Sequence, residues 1–391
     1  MINSKKFINF GRPYIGNKEN KFIQKVLNSK WIGTGPIVHK FEQNFSKYKK
    51  SKFAISVNSC TAALHLSIMT LGLKKGDEII TTPMTFCSTI NSILIAGCKP
   101  VITDININTF NIDENLIEKK ITKKTKAILI VHFAGLPCNM KKILQLTKKY
   151  NLKLIEDCAH AIESEFENKK TGNFGQVGCF SFYSNKNITT GEGGMITTNN
   201  KNLTEKLMKL RLHGRSKDAW KRYLPDLVSI KNHSVLYDVK YTGFKYNMID
   251  LQAAMGVCQL DKVNSMWKIR KKLYSNYLKA FKNLPVFFQA KPDYKFKHGY
   301  HLFLMVLDKS KTKKNRDDLI EFLRKKRIGA SVHYRSVTEM SNYKKLLKWK
   351  NSLVPNSFYV GKNTISLPLY PGLTLKNQKY IISEVKNFFD V

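Results

Sequence analysis

The 391-residue chain reads as α/β: a mostly parallel, doubly wound sheet in a large domain, then a smaller carboxyl-terminal α+β domain. Three observations predict this. Strand and helix signals alternate from about residue 50 to residue 210, with helix following strand throughout. A long helical pattern runs from Asp250 through Leu278, and Pro285 and a strand-like His301–Leu307 follow it. The length exceeds a typical single domain, and 42% hydrophobic residues suffice for a sizeable core. The division falls near residue 260, giving 1–260 and 261–391.

Phe53–Val57 is the first strand-like run. Ser59-Cys60-Thr61 then opens a helix whose alanines and leucines allow close packing. Free N–H groups and the positive dipole end at such a start suit an anion, and the Ser59 and Thr61 hydroxyls can add hydrogen bonds. Ordinary capping by Ser59 explains the same letters. Ala127–Val131 is a further apolar run, followed by a helix-like Met140–Tyr150. Leu152–Glu156 forms a strand that delivers Asp157 to its carboxyl end, the edge where open parallel sheets bind ligands. Gly178–Tyr183 reads as a buried strand, and Gly191-Glu192-Gly193-Gly194 lets backbone pass close to a ligand before the strand Met195–Thr198.

Lys186 sits between that apolar run and the glycine-rich turn. An amine that condenses with an aldehyde must be held off the solvated surface, because desolvation lowers its pKa and frees the neutral nucleophile. Lys186 therefore reads as a pyridoxal-phosphate lysine. Asp157 is placed to keep a pyridine nitrogen protonated, which makes the ring an electron sink. In a chain with 67 Lys and Arg, a surface turn is the default for any one lysine, and capping a helix near Ala159 is the ordinary job for Asp157. The pairing of the two, behind the strand, cap and helix at 53–66, favours the cofactor.

These segments together resemble the DegT/DnrJ/EryC1/StrS family of sugar-nucleotide aminotransferases. Trp31–Pro36, Gly76–Pro83, Val131–Gly135, Glu156–Ala161 and Gly243–Asp250 extend the likeness over nearly the whole chain. The resemblance implies the fold type I architecture of pyridoxal-phosphate enzymes, with a seven-stranded type of sheet. It makes Lys186 the Schiff-base lysine and proton shuttle, with Asp157 on the pyridine nitrogen. Phe86 would stack on the ring, where a plain core phenylalanine is the alternative. His160 would lie beside the ring and its phenolic oxygen, or be a satisfied core histidine. Ser181 and the Cys60 and Thr61 amides would hold the phosphate, although many relatives carry glycine or alanine in place of Cys60. Asn247 is expected to reach that phosphate from a second subunit, so a homodimer would share its active sites. Some relatives that remove a sugar hydroxyl carry histidine in place of Lys186, so the lysine argues for amino transfer.

The amino donor implied is L-glutamate, leaving as 2-oxoglutarate, and the acceptor a 4-keto sugar on a nucleoside diphosphate. Gly243–Asp250 and Arg327–Arg335 look most like the 4-amino branch. Thr34, within the amino-terminal segment 1–40, and His333 and Arg335 are substrate candidates. Arg335 suits a pyrophosphate in bidentate fashion, and a rim position in the small domain is the alternative. A 3-keto-sugar aminotransferase and a non-catalytic binding protein of the same fold are the rival readings.

The formal charge of +39 raises a nucleic-acid partner, but the lysines are spread along the chain with no basic arm or recognition module. None is expected. Seven cysteines include no C-x-x-C pair and no metal-like cluster with histidines, which fits reduced thiols in the cytoplasm and no metal. No stretch approaches the roughly 18 to 20 apolar residues of a membrane span. The polar segment Ser216–Val239, with Trp220, Tyr223 and Pro225, is a candidate cover over the site.

Overall fold

The apolar runs between residues 53 and 198 assemble into one seven-stranded sheet. The computed structural model describes residues 6–216 and 237–390, so residues 217–236 of the candidate cover lie outside the described residues. The strands are β1 (Phe53–Val57), β2 (Glu78–Thr81), β3 (Lys99–Ile102), β4 (Thr125–Val131) and β5 (Lys153–Asp157), then a short hairpin β6 (Glu165–Phe166) and β7 (Lys169–Lys170), and β8 (Val177–Ser181) and β9 (Gly194–Thr198). The sheet order is β1-β9-β8-β5-β4-β2-β3. Only β9 runs against its neighbours, so six carboxyl ends share one edge.

Helices cover the sheet, which explains why its strands read as continuous apolar runs rather than alternating ones. In β4 every residue except Lys126 is buried. The helix Cys60–Thr70 lies almost wholly inside, with Ala62, Ala63, Leu64 and Leu66 packed on Ile55, Cys179 and Ile196. The helix Met140–Lys149 is amphipathic and buries Met140, Ile143 and Leu146.

The expected long helix spans Asp250–Phe281, 32 residues, and belongs to two cores. Its first half sets Ala253, Val257, Leu260 and Val263 against Phe41, Phe45 and Phe182. Its second half sets Leu273, Tyr274, Tyr277 and Phe281 against Phe303, Met305 and Ile365. The division near 260 thus falls inside a continuous helix. Beyond it come β10 (Val286–Phe287), β11 (Phe296–Lys297), β12 (Phe303–Leu307) and β13 (Thr364–Leu367). β12 pairs antiparallel with β10 and β13, backed by the helices Arg316–Lys325 and Leu375–Phe388, while β11 pairs with β6 of the large domain. The strand starts at Phe303 rather than His301, because His301 turns into the site. The amino-terminal Ile8 bridges to Ile328 and joins this carboxyl-terminal core.

Candidate active site

The carboxyl edge of a parallel sheet is where strand ends and helix starts leave polar groups facing a crevice. Here that edge encloses a cavity of about 410 Å³, lined by residues that include Cys60, Thr61, Phe86, Asp157, His160, Ser181, Lys186, His301, His333 and Tyr334. Eight of the eleven residues expected in the site therefore face one space. Thr34, Asn247 and Arg335 do not line it.

Asp157 ends β5 and is buried. No helix begins at Ala159; Cys158–Ala161 is a turn, and the Asp157 Oδ1 accepts the Ala159 N–H at 3.0 Å within it. The expected alternative of a helix cap is thereby corrected to a two-residue side-chain turn. Oδ2 accepts the Thr89 hydroxyl at 3.0 Å, and Thr89 is bonded to Thr85 at 2.7 Å. Burial raises the Asp157 pKa against these donors and the nearby Lys186 charge. A carboxylate so placed favours a cationic partner in the cavity.

Lys186 stands in the turn after β8. Its own N–H donates to the Tyr183 carbonyl at 2.9 Å, and the loop is pinned at its base by Phe182 to Gly193 (2.9 Å) and Thr190 to Phe182 (3.0 Å). The side chain is half-buried and opens on the cavity. Burial lowers its pKa to about 8, with Asp157 opposing. A large neutral fraction is then present near neutrality, as an attacking amine requires.

Ser181 and Gly194 are paired across β8 and β9, and Gly194 and Val57 across β9 and β1. Ser59 caps the helix Cys60–Thr70 by accepting the Ala62 N–H at 3.1 Å, so its hydroxyl is engaged in the cap. The first intrahelical bond is made by Ala63, at 3.1 Å to the Ser59 carbonyl, which leaves the Cys60 and Thr61 amides for an outside acceptor. A Cβ on Gly194 would lie 2.5 Å from the Ser59 carbonyl and 2.8 Å from the Cys60 nitrogen, so only glycine lets β9 approach this helix start. The Cys60 thiol is held neutral by burial.

Phe86 is 56% exposed, so it is no core residue, and its ring lies 5.9 Å from that of Tyr334. His160 is satisfied at both nitrogens, by the Ala134 N–H at 3.2 Å and the Tyr334 hydroxyl at 3.1 Å, and it faces the cavity all the same. His333 stacks on Phe10 at 5.2 Å and bonds Ser366 at 2.9 Å. Arg335 is exposed and pairs with Glu339 at 3.6 Å. Asn247 donates to Thr34 at 2.7 Å and accepts from Lys245 at 2.8 Å. A second cavity of about 540 Å³ adjoins the first through Tyr183 and Asn185, and the amino-terminal Phe7, Asn9 and Phe10 line it.

Comparison with known proteins gives the same answer as the geometry. A model of the DegT/DnrJ/EryC1/StrS aminotransferase family matches residues 13–386. This chain belongs to that family. The spore coat polysaccharide biosynthesis protein SpsC of Bacillus subtilis is 38% identical, over 97% of each chain. The solved structure of Helicobacter pylori PseC, an aminotransferase of pseudoaminic acid biosynthesis, superposes with a TM-score of 0.89 at 31% identity, covering 99% of this chain and 100% of that one. A sugar aminotransferase Spr1654 of Streptococcus pneumoniae, in its PMP form, gives 0.89 at 30% identity, covering 98% and 99%.

The enzyme is thus a pyridoxal-phosphate-dependent aminotransferase of the sugar aminotransferase family, and its own residues fit the cofactor. Cys60 and Thr61 at a helix start, Ser181, the exposed aromatic Phe86, Asp157 and Lys186 all line the one cavity. Sequence reasoning missed His301, Tyr334 and Thr89. Asn187 gives both amide hydrogens away, to Glu163 at 2.6 Å and the Gly299 carbonyl at 2.9 Å. Its oxygen therefore accepts from His301 Nδ1 at 2.9 Å, which leaves His301 Nε2 bare. Glu163 is in turn paired with buried Arg270. The one signal was adjacency: Asn187 follows Lys186. One buried trio, His132, Glu156 and Cys158, has metal-like spacing. Two of its three groups are committed, Glu156 accepting His132 and the Gly172, Phe174 and Gly175 amides, and His132 accepting the Cys138 amide.

Proposed function

We propose that the enzyme moves an amino group from L-glutamate to C4 of a keto sugar carried on a nucleoside diphosphate, giving a 4-amino sugar nucleotide for a surface polysaccharide or glycan. The observation that carries the reaction is the shared cavity of Lys186 and Asp157, which Cys60 and Thr61 at a helix start also line. The polysaccharide role is supported by the name of SpsC, and the choice of C4 by the likeness of Gly243–Asp250 and Arg327–Arg335 to the 4-amino branch. The adjoining cavity accommodates a substrate of two parts, and Arg324 at its wall suits an anion. Among the described residues no helix is long and apolar enough to cross a membrane.

Bound pyridoxal phosphate supplies an aldehyde carbon that takes up amines and a ring that draws electrons. The chain does the rest. Cys60, Thr61 and Ser181 would hold the phosphate, and Asn247 of a second subunit would complete the cradle. Asp157, anchored by Ala159 and Thr89, keeps the proton on the ring nitrogen. Phe86 would pack on the ring and help to keep water from it. Lys186, tuned to about 8, takes the proton from the donor carbon and returns one to the sugar carbon that gains nitrogen.

The test is amino transfer from L-glutamate to a panel of keto-sugar nucleotides, with the new amine located by product analysis. Wild-type protein is expected to be yellow and to aminate C4. Lys186→Ala should lose the coloured band and at least about 10³-fold in rate. A product aminated at C3 would overturn the position, and a colourless protein that pyridoxal phosphate cannot restore would overturn the whole reading.

A further inference from the structure

The proton on His160 has only one place to be. The Ala134 amide can only donate, and it reaches His160 Nδ1 at 3.2 Å, so that nitrogen is bare. Burial first, and then the Lys186 charge, hold the imidazole far below its ordinary pKa, so the ring is neutral and its single proton lies on Nε2. That Nε2–H faces the Tyr334 oxygen at 3.1 Å. Tyr334 therefore accepts from His160, and its own hydroxyl hydrogen must go elsewhere. Among the described residues the Tyr334 hydroxyl has no other partner, and the side chain lines the reaction cavity. Its ring is fixed between Phe86 at 5.9 Å and Phe133 at 6.0 Å.

We propose that Tyr334 is a fixed hydrogen-bond donor of the reaction cavity, held in that polarity by His160, and that it serves a ligand oxygen bearing negative charge during amino transfer. Two oxygens share this chemistry: the phenolic oxygen of the cofactor ring and the keto oxygen of the sugar. The second arm rests on the keto-sugar reading above, and the first does not. Burial, with Asp157 nearby, pushes the Tyr334 pKa up, so the hydroxyl keeps its hydrogen throughout the working range. A donor held in place in a protein cavity is worth more to an anion than one in water. His160 acts through Tyr334 and is a positioning residue.

Tyr334→Phe removes the hydroxyl and keeps the ring packing. Loaded enzyme without substrate is titrated by the pH midpoint of its visible band, and steady-state rates are then measured with L-glutamate and the sugar nucleotide. Service to the cofactor oxygen predicts a midpoint raised by about one pH unit or more, because the bare phenolate loses a charge-assisted donor. Service to the sugar predicts an unmoved midpoint, a kcat down at least about tenfold and a KM changed less than about threefold. A midpoint within about 0.3 unit and a kcat within about threefold of wild type overturn the proposal. The titration needs no sugar, so a wrong substrate leaves it decisive. His160→Leu combined with Tyr334→Phe should be no worse than the more severe single variant, and His160→Gln, which keeps a donor, should recover part of the loss. Additive effects would remove His160 from its positioning role.

Discussion

Burial acts on Lys186 and Asp157 with opposite results for their pKa values, because it penalises charge in both: the lysine goes down to about 8 and the aspartate goes up. A cofactor with a phosphate and a protonated ring nitrogen would offer each of them an opposite charge. Lys49 shows the same physics with no ligand to relieve it. Its ammonium is wholly buried, donates to the Ile162 carbonyl at 2.8 Å and lies 4.7 Å from the centre of the Phe180 ring, with Cys158, Lys170, Glu156 and Glu163 around it. Burial holds its pKa at about 7, against 10.5 ordinarily. Between those values the unfolded chain binds a proton that the folded chain does not, so this residue makes the fold more stable as pH rises through the window. The unfolding free energy of wild type should therefore gain on that of Lys49→Met between about pH 7.5 and 9.5, by up to about 1.4 kcal/mol per pH unit. A constant difference across that range would show that Lys49 stays charged in the fold.

Elements were legible where their physics is local. Helix Met140–Lys149 announces itself by an apolar stripe, β4 by an unbroken apolar run and β5 by Leu154 and Ile155 between polar ends, so all three were placed to within two residues of their bounds. The site was legible where strand ends deliver it, as with Asp157 and Ser181. It was not legible where a distant turn completes it. The Ala134 amide that fixes His160 comes from a left-handed residue, φ 55°, in a turn held by Asn111, which accepts the Phe133 amide at 2.9 Å. Nothing in the letters around Tyr334 points to a partner 174 positions away. The close approach of β9 to the helix Cys60–Thr70 was legible only as a glycine run, and its geometry gives the prediction. Gly194→Ala should drive the helix start from the strand, weaken pyridoxal-phosphate binding by at least about tenfold and lower the melting temperature. Equilibrium dialysis of the cofactor checks it, and an unchanged affinity would mean that the cradle tolerates the displaced backbone.

At the scale of the whole molecule, the proposed reading has Asn247 of a second subunit complete the phosphate cradle. Asn247 hydrogen-bonds Thr34 and Lys245 instead of lining the cavity that holds Lys186, as a residue serving a neighbour's site would. Mixing two dead variants decides this. Lys186→Ala removes the amine, and Asn247→Asp sets a negative charge against the phosphate. If each site takes Lys186 from one chain and Asn247 from the other, a mixed dimer has one site with both defects and one with neither. Random reassociation makes half of the dimers mixed, so about a quarter of wild-type activity should return. If Asn247 serves its own chain, every site in the mixture keeps one defect and no activity returns. Unimpaired activity in Asn247→Asp alone would take that residue out of the site altogether.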